Sequence, residues 1–423
     1  MKEKILNSLK LDLFTAALGA TCGAVIWLFL RLMGLCTNLI WGIIPGMTGV
    51  VYIPVILCAA GGLIMGIIHK KYGNYPEELP VVLGKIKKDK HYDYSFMPVM
   101  LSCAFIPLVF GASVGPEAGL TGVIAGLCYW VGDNVKYAKA RAGEYSEIGA
   151  AVTLGSLFHI PLFGIFAVEE PGDSAKGVGD INIPKASKLL LYGISTATAF
   201  LTMKLLGAVF GAASEGFPSF AFSEPTVSDY VLLLVYIPVG IILYIVFAYA
   251  EKITAWMAGK IPVILKETIC GLCIGAMAMI VPMVLFSGED QMADLPSVFL
   301  QYTPLALLGI CLLKILMTAF CINFGMKGGH FFPLIFGCAL MGFALASFIY
   351  GNISGVTDAS ALTAHAVFAA GAVTASTLGA QLKKPIAVSL LLLLCFPVRF
   401  ILWIFLAAVI SSKVVKAFKR TTE

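Results

Sequence analysis

The stretch GASVGPEAG (residues 111–119) interrupts a long apolar passage, with SFMPVMLSCAFIPLVF before it and LTGVIAGLCYWV after it. Irregular backbone within a bilayer is tolerated only where it is buried in protein or lines a cavity. A proline at the first helical position favours a helix start, and the preceding glycine lets a ligand approach the backbone closely. The stretch therefore predicts a helix N-terminus with free N–H groups, which would attract an anion without any basic side chain.

The composition places this break inside a membrane protein. Of 423 residues, 59% are hydrophobic and 13% are charged, against about 25% charged in soluble domains. Apolar runs long enough to cross or partly cross a bilayer recur at 11–30, 49–68, 95–112, 188–210, 229–250, 267–287, 303–324, 331–349 and 386–411. They predict an all-α polytopic membrane protein with about ten to twelve crossing or half-crossing helices, and they exclude a β-barrel, whose strands would alternate polar and apolar residues.

Basic residues predict the orientation. They crowd both ends of the chain, at Lys2, Lys4, Lys10, Lys413, Lys416, Lys419 and Arg420. The positive-inside rule then places both termini in the cytoplasm, together with the clusters KIKKDK (85–90) and KYAKAR (136–141). The first apolar run continues past Leu30, which is too long for a cleaved signal peptide. We expect a multi-pass protein of the cell inner (plasma) membrane.

The chain reads as two halves of similar pattern. We expect one membrane domain over 1–423, with a first inverted-repeat half at 1–210, a connecting segment at 211–228, a second half at 229–412 and a short cytoplasmic tail at 413–423. Breaks at 111–116 (GASVGP) and 328–333 (GGHFFP) occupy corresponding positions in the two halves, and GNYP at 73–76 is a third candidate. Paired breaks of this kind point to a binding site near the midplane, although any one of them could be a plain kink or helix start.

These motifs resemble the CLC family of chloride channels and chloride/proton antiporters, from about residue 14 to 412. ASVGP (112–116) is similar to the family's Gly-(Lys/Arg)-Glu-Gly-Pro motif, and GGHFFP (328–333) to Gly-Gly-x-Phe-x-Pro. FHIPLFGIFAVEE (158–170) and LFSGEDQ (285–291) also resemble family segments in the same order. The resemblance implies an inverted repeat of tilted and broken transmembrane helices, assembled as a homodimer with one anion pathway per subunit.

The resemblance also implies the residues of an anion site. Those expected at the anion through their backbone are Ser113, Val114, Gly115, Pro116, Gly329, His330 and Phe331, followed by Gly73, Asn74, Tyr75 and Ala387. Gly73 replaces the family's anion-contacting serine and Ala387 its central tyrosine. Both side-chain hydroxyls of that site are therefore missing, which leaves backbone N–H groups as the ligands.

Val114 stands where the family has its gating glutamate. Because valine cannot bind a proton, we expect an uncoupled, passive pathway. Glu170 matches the family's inner proton-handling glutamate, with Glu169 beside it. Glu117, three residues past the missing gate, is either a helix cap or a displaced gate. We treat His330 as a possible modulator and His159 as structural.

The sequence thus favours passive conduction of small inorganic anions, chloride first. The alternatives are a proton-coupled antiporter using Glu117 and Glu170, or a transporter of fluoride or another anion. An enzyme is not expected, since HExxH, Walker and GxSxG motifs are absent. No cofactor and no nucleic-acid partner are expected. No metal is expected either, because the pair Cys270 and Cys273 suits helix packing better than metal binding. An organic-anion transporter would need a buried cation or several polar side chains to recognise its substrate, and we find few. A purely structural subunit would not need the Gly-Pro breaks.

Overall fold

The computed structural model describes residues 2–48, 50–77, 93–134, 142–170, 186–212, 218–221 and 224–422. Within them the chain forms helices. Those before residue 211 are α1 (Lys2–Thr37), α2 (Ile44–Thr48), α3 (Ile53–Tyr72), α4 (Met97–Val109), α5 (Glu117–Asn134), α6 (Ala142–Leu157), α7 (Pro161–Glu169) and α8 (Ala186–Phe210). A π-helical segment, Asn38–Ile43, joins α1 to α2.

The remaining helices follow the connecting segment. They are α9 (Val227–Ala258), α10 (Val263–Ile280), α11 (Glu289–Val298), α12 (Pro304–Asn323), α13 (Phe331–Ala346), α14 (Ala359–Leu382), α15 (Pro385–Leu392) and α16 (Ile401–Thr422). A π-helical segment, Ser347–Ile353, extends α13. The division into two inverted-repeat halves at 211–228 stays a prediction, and the basic clusters 85–90 and 136–141 lie outside the described residues.

Nine of the described helical segments are long and apolar enough to cross a membrane. They are Lys10–Met47, Ile53–Tyr72, Lys188–Phe210, Val227–Ala258, Val263–Ile280, Pro304–Asn323, Phe331–Ile353, Ala359–Leu382 and Val398–Phe418. Two shorter apolar helices, Met97–Val109 and Glu147–Leu157, accompany them. The prediction of an all-α polytopic membrane protein is confirmed.

Glycines let the helices approach one another closely. A Cβ on Gly62 of α3 would lie 2.1 Å from the carbonyl oxygen of Glu267 in α10, and one on Gly271 would lie 2.0 Å from that of Cys58. In the second half, a Cβ on Gly342 of α13 would lie 2.2 Å from the backbone nitrogen of Ala370 in α14. Small residues at such crossings are the usual basis of helix packing in membranes, where no hydrophobic force drives helices together.

Helices α13 and α14 form the centre of the molecule. In each of their spans, 83% of the most apolar 18 residues are buried inside the protein, against 28–56% for the other seven spans. Helix α13 begins at Phe331, immediately after the Gly-rich break, so this break lies in the protein interior. The fold thus places an interrupted helix start where water and lipid are excluded.

Candidate functional site

The two Gly-rich breaks meet as a pair. Gly115 and Gly329 exchange two backbone hydrogen bonds, with N···O distances of 2.8 Å from Gly115 to Gly329 and 2.7 Å in return. Helices α5 and α13 begin two residues later, at Glu117 and Phe331. Their N-termini, each with unsatisfied N–H groups and a partial positive charge, therefore converge at one point. The amides of Gly115 and Gly329 bind each other, and their contact with an anion stays a prediction.

The carboxylate of Glu117 occupies the point where these N-termini converge. Its Oε1 accepts a hydrogen bond from the backbone N–H of Phe331 at 2.8 Å, and the amides of Glu117 itself and Phe332 face it as well. The residue is only 3% exposed. Its Oε2 is buried and has no hydrogen-bond partner within the described part of the chain. The protein thus places its own carboxylate where the sequence predicted a bound anion.

The two glycines of the bridge make room for that carboxylate. A Cβ on Gly329 would lie 1.8 Å from Cδ of Glu117, and one on Gly115 would lie 2.1 Å from its Oε2. Side chains never approach this closely, so any larger residue at either position would displace the carboxylate or the backbone. Glycine is required here for space, and neither residue has the positive φ that would require it for conformation.

Val114 and Ser113 lie beside the bridge. Val114 is fully buried, and its amide donates to the carbonyl of Ala112 at 2.9 Å. A Cβ on Gly328 would lie 2.5 Å from Cγ2 of Val114, so the valine packs against the backbone of the third motif along the chain, GGHFFP (328–333). The Ser113 hydroxyl lies 3.2 Å from the Thr318 hydroxyl on α12. Val114 thus fills space beside the bridge, and Glu117 lies three residues further along the chain.

Aromatic rings cover the other side of the helix start. The ring of Phe158 stacks on Phe332 with centroids 4.6 Å apart and planes at 6°. The imidazole of His330 lies between Phe247 and Phe331, with centroid distances of 5.7 and 4.8 Å. Its Nε2 is buried without a hydrogen-bond partner among the described residues. His159, expected to be structural, adopts a positive φ of 53° just before α7 begins at Pro161.

The first motif along the chain, GNYP (73–76), lies to one side of this convergence. Gly73 and Asn74 are exposed, and Tyr75 is half-buried. Pro76 contacts α5 near Gly119, whose Cβ would lie 3.8 Å from Cγ of the proline. The amide of Gly73 donates to His69 and that of Tyr75 to Gly73. Residues 78–92, which follow this motif, lie outside the described residues.

A second carboxylate caps another helix start. Glu170 accepts hydrogen bonds from the amides of Ile386 at 3.1 Å and Ala387 at 2.8 Å, in the first turn of α15. Burial raises the pKa of the Glu170 carboxyl above its ordinary value, although these two amides act in the opposite direction. Ala387, expected at the central anion site, therefore has its amide bound to Glu170. Neighbouring Glu169 instead bonds to Lys188 and, at 2.7 Å, to the hydroxyl of Tyr192.

One buried cation was missed by the sequence interpretation. Lys314, in the middle of α12, is fully buried, and its ammonium donates to the carbonyls of Val284, Leu285 and Phe286 at 3.2, 3.0 and 2.6 Å. The amide of Phe286 in turn lies 3.4 Å from the carbonyl of Gly111. A lysine within an apolar span is a functional candidate by default, and that signal was available in the sequence.

A buried acid–histidine pair was also missed. Glu267 is fully buried at the start of α10 and contacts His69 at the end of α3. Both lie at the ends of apolar runs, where charged residues are common, so the sequence offered little reason to pair them. Among the described residues, no three His, Cys, Asp or Glu side chains come together as a metal site, and Cys270 and Cys273 are free thiols.

Comparisons with known proteins agree with this architecture. Residues 61–416 match the family model described as "Voltage gated chloride channel". The "Putative ion-transport protein YfeO" of Salmonella paratyphi A is 23% identical over 373 residues, which cover 84% of each chain. Its namesake from Escherichia coli O1:K1 / APEC is 22% identical over 369 residues, covering 83% of this chain and 81% of that one.

Two solved structures share the fold. A CLC-type fluoride/proton antiporter superposes with a TM-score of 0.73 at 17% identity, covering 97% of this chain and 96% of the other. A slow cyanobacterial Cl⁻/H⁺ antiporter gives a TM-score of 0.71, also at 17% identity, with coverages of 97% and 93%. At this identity the likeness concerns the fold alone.

Proposed function

Because the chain belongs to the voltage-gated chloride channel family, whose members move anions across membranes, we propose that it exchanges a small inorganic anion for protons, with Glu117 as the gate. The sequence favoured passive conduction because Val114 replaces the family's gating glutamate. The position of Glu117 supports the proton-coupled alternative. Its carboxylate binds the Phe331 amide at the start of α13, and this one observation carries the proposal.

The gate works by competition for backbone N–H groups. The carboxyl group of Glu117 occupies this helix start in the present structure, where it accepts the Phe331 N–H, so no free anion can take its place there. A proton on the carboxylate removes its charge and weakens the hydrogen bond from Phe331, because N–H groups bind charged acceptors more strongly. The neutral side chain leaves, and an inorganic anion binds the exposed amides. Loss of the proton to the opposite side returns the carboxylate and expels the anion.

Glu170 is proposed as the residue that binds and releases the proton on the inner side. It is partly buried and held at the start of α15 by two amides, and its raised pKa brings proton exchange closer to neutral pH. Glu169, paired with Lys188 and Tyr192, is proposed to hold the structure at this end. A proton would enter at Glu170 and reach Glu117 along the protein interior.

The substrate is proposed to be a halide, with chloride the first to test and fluoride the second. Helix N-termini bind small anions through N–H groups and a partial positive charge. This mode of binding suits spherical ions such as halides. The two solved neighbours transport chloride and fluoride with protons. A larger organic anion would need several polar side chains beside the site, and Phe158, Phe331 and Phe332 line it instead.

The assembly and orientation are proposed on the same family basis. We propose a homodimer in the plasma membrane, with one pathway per subunit and both termini cytoplasmic. Lys413 and Lys416 near the end of α16 support a cytoplasmic C-terminus under the positive-inside rule. Cross-linking of purified protein in detergent tests the dimer, and protease accessibility in sealed vesicles tests the orientation.

The deciding experiment measures both ions in proteoliposomes. Purified protein is reconstituted with a chloride gradient, the membrane potential is clamped at zero, and internal pH and chloride are recorded together. We expect chloride flow to drive protons uphill in wild type. Glu117→Gln should retain chloride flux and lose proton movement, and Asp294→Asn, which changes an exposed acid on α11, should behave as wild type.

Two results would contradict the proposal. Chloride flux without proton movement in wild type would establish passive conduction, and Val114 would then be its cause. If chloride does not move, the assay is repeated with fluoride. Failure of both ions to move would exclude halide transport.

A further inference from the structure

A buried histidine and glutamate lie beside the first motif, away from the Glu117 site. In His69, Nδ1 lies 2.8 Å from Oε1 of Glu267, and Nε2 lies 2.6 Å from the carbonyl oxygen of Tyr75. The two side chains are 1% and 0% exposed. Both ring nitrogens are thus engaged with oxygen atoms, out of contact with solvent.

The hydrogen bonds fix the number of protons that the pair holds. The Tyr75 carbonyl can only accept, so Nε2 of His69 must carry a hydrogen. The contact between Nδ1 and Glu267 needs a second hydrogen, which is located on either atom. A neutral imidazole beside an ionised carboxylate supplies only one hydrogen for these two bonds. The observed geometry therefore contains one proton more than the deprotonated pair.

Among the described residues, the titratable groups near the pair include two cysteines and a lysine. Cys103 on α4 and Cys270 on α10 lie within electrostatic range of Glu267, and Lys327, just before the third motif, acts on Cys103. Just after the first motif, Glu77 follows Tyr75 by two residues. Oε2 of Glu267 is buried without a hydrogen-bond partner in the described part of the chain. The extra proton is therefore held chiefly by His69 and Glu267 themselves.

The pair connects two motif segments to the helices behind them. His69 ends α3 and holds the carbonyl of Tyr75 in the first motif. A Cβ on Gly325, three residues before the third motif, would lie 2.3 Å from Oε1 of Glu267. Removal of the extra proton would leave either the Tyr75 carbonyl without its donor or a carboxylate facing a ring lone pair. Either result would move the first-motif segment.

We propose that His69 and Glu267 form a proton-binding site, distinct from Glu117, which holds the first-motif segment in place while the proton is bound and releases it when the proton is lost. Proton binding at the pair is independent of what the protein transports. Its effect on anion flux rests on the proposed function.

Nuclear magnetic resonance of the imidazole nitrogens tests the proton binding directly. The full-length protein, labelled with ¹⁵N-histidine and held in nanodiscs, contains five histidines, and His69→Gln assigns the signal of interest. We expect the His69 ring signals to differ between samples held across the range from about pH 5 to about pH 8, because the pair loses its extra proton. Signals of His69 that do not move over this range would overturn the proposal and leave a purely structural pair.

Glu267→Gln separates proton binding from packing. The amide of the glutamine donates a hydrogen to Nδ1 at any pH, so both hydrogen bonds persist without a titratable proton. We expect the His69 signals of this variant to be independent of pH. Titration of His69 that survives in Glu267→Gln would show that the pair does not share the proton.

The effect on transport is measured as anion efflux against pH, equal on both sides. We expect anion efflux by wild type to slow several-fold towards alkaline pH. Efflux by Glu267→Gln should slow less, and its remaining pH dependence is attributed to Glu117. His365→Gln is the matched control, because His365 contacts another buried carboxylate, that of Asp229, and should follow wild type. Identical profiles for wild type and Glu267→Gln would overturn the link to transport. If no anion moves at all, the proposed function fails, and the resonance measurement still decides the proton site.

Discussion

The carboxylate of Glu117 and the backbone amide of Phe331 lie 2.8 Å apart, although 214 positions separate the two residues in the chain. This contact joins the first turn of α5 to the first turn of α13. It places an ionisable group at a helix N-terminus inside the protein, three residues from the valine that replaces the expected gate.

Gly329→Ala should displace the Glu117 carboxylate. The new Cβ would lie 1.8 Å from Cδ of Glu117, so the side chain must leave the Phe331 amide. We expect the ratio of protons to anions to fall towards that of Glu117→Gln in the proteoliposome assay. Gly309→Ala in α12 is the control, since nothing lies within 4 Å of its added methyl group. Unchanged coupling in Gly329→Ala would refute a role for the observed contact.

Lys314→Met should destabilise the protein. The substitution removes the donor shared by the carbonyls of residues 284–286, and a buried group left unsatisfied costs about 1–3 kcal/mol. Unfolding in mixed micelles measures the loss. Lys252→Met, at an exposed position on α9, should change stability by less than about 0.5 kcal/mol. Equal stabilities of the two variants would mean that the ammonium contributes nothing to the fold.

Asp229→Asn should weaken the start of α9. The fully buried carboxylate accepts hydrogen bonds from Thr226, Tyr350 and His365 at 2.8–2.9 Å, and an amide cannot accept all of them. We expect a loss of about 1–3 kcal/mol in the same unfolding assay. Asp290→Asn is the exposed control. A variant as stable as wild type would show that the amide replaces the carboxylate without loss.

Glu170 should make stability depend on pH. Because burial raises its pKa in the folded protein, the folded state binds the proton more tightly than the unfolded state. This contribution to stability is complete below the unfolded pKa and is lost as pH rises through the higher folded pKa. Glu170→Gln should flatten the dependence in that window, by at most about 1.4 kcal/mol per pH unit for one proton. A slope equal to that of wild type would show that Glu170 is not its source.

The sequence was sufficient for the architecture because the signals it used are local. Uninterrupted apolar runs and prolines at helix starts can be identified without knowing what packs against what. The helix starts at Glu117, Pro161 and Phe331 follow from such signals. The sequence also left two roles open for Glu117, a helix cap or a gate. Its contact with Phe331 was not predictable, because it depends on how the two halves of the chain pack together.

The contacts of the site could not be predicted for the same reason. The amides of Gly115 and Gly329 were expected to face an anion, and they bind each other. Ala387 was placed at the central site by its neighbours in sequence, and its amide is bound to Glu170. Lys314 bonds to Phe286, and His69 contacts Glu267, which is 198 positions away in the chain. Which donor meets which acceptor is decided by tertiary packing.

The reciprocal bond between Gly115 and Gly329 limits how the protein can move. Its two backbone hydrogen bonds join Gly115, in the first half of the chain, to Gly329, in the second half, at the centre of the molecule. A transport cycle in which one half of the chain rotates against the other would have to break these two hydrogen bonds each time. Under the proposed exchange, we therefore expect access to the two sides of the membrane to alternate through rotations of side chains such as Glu117, while the hydrogen bonds between Gly115 and Gly329 stay intact.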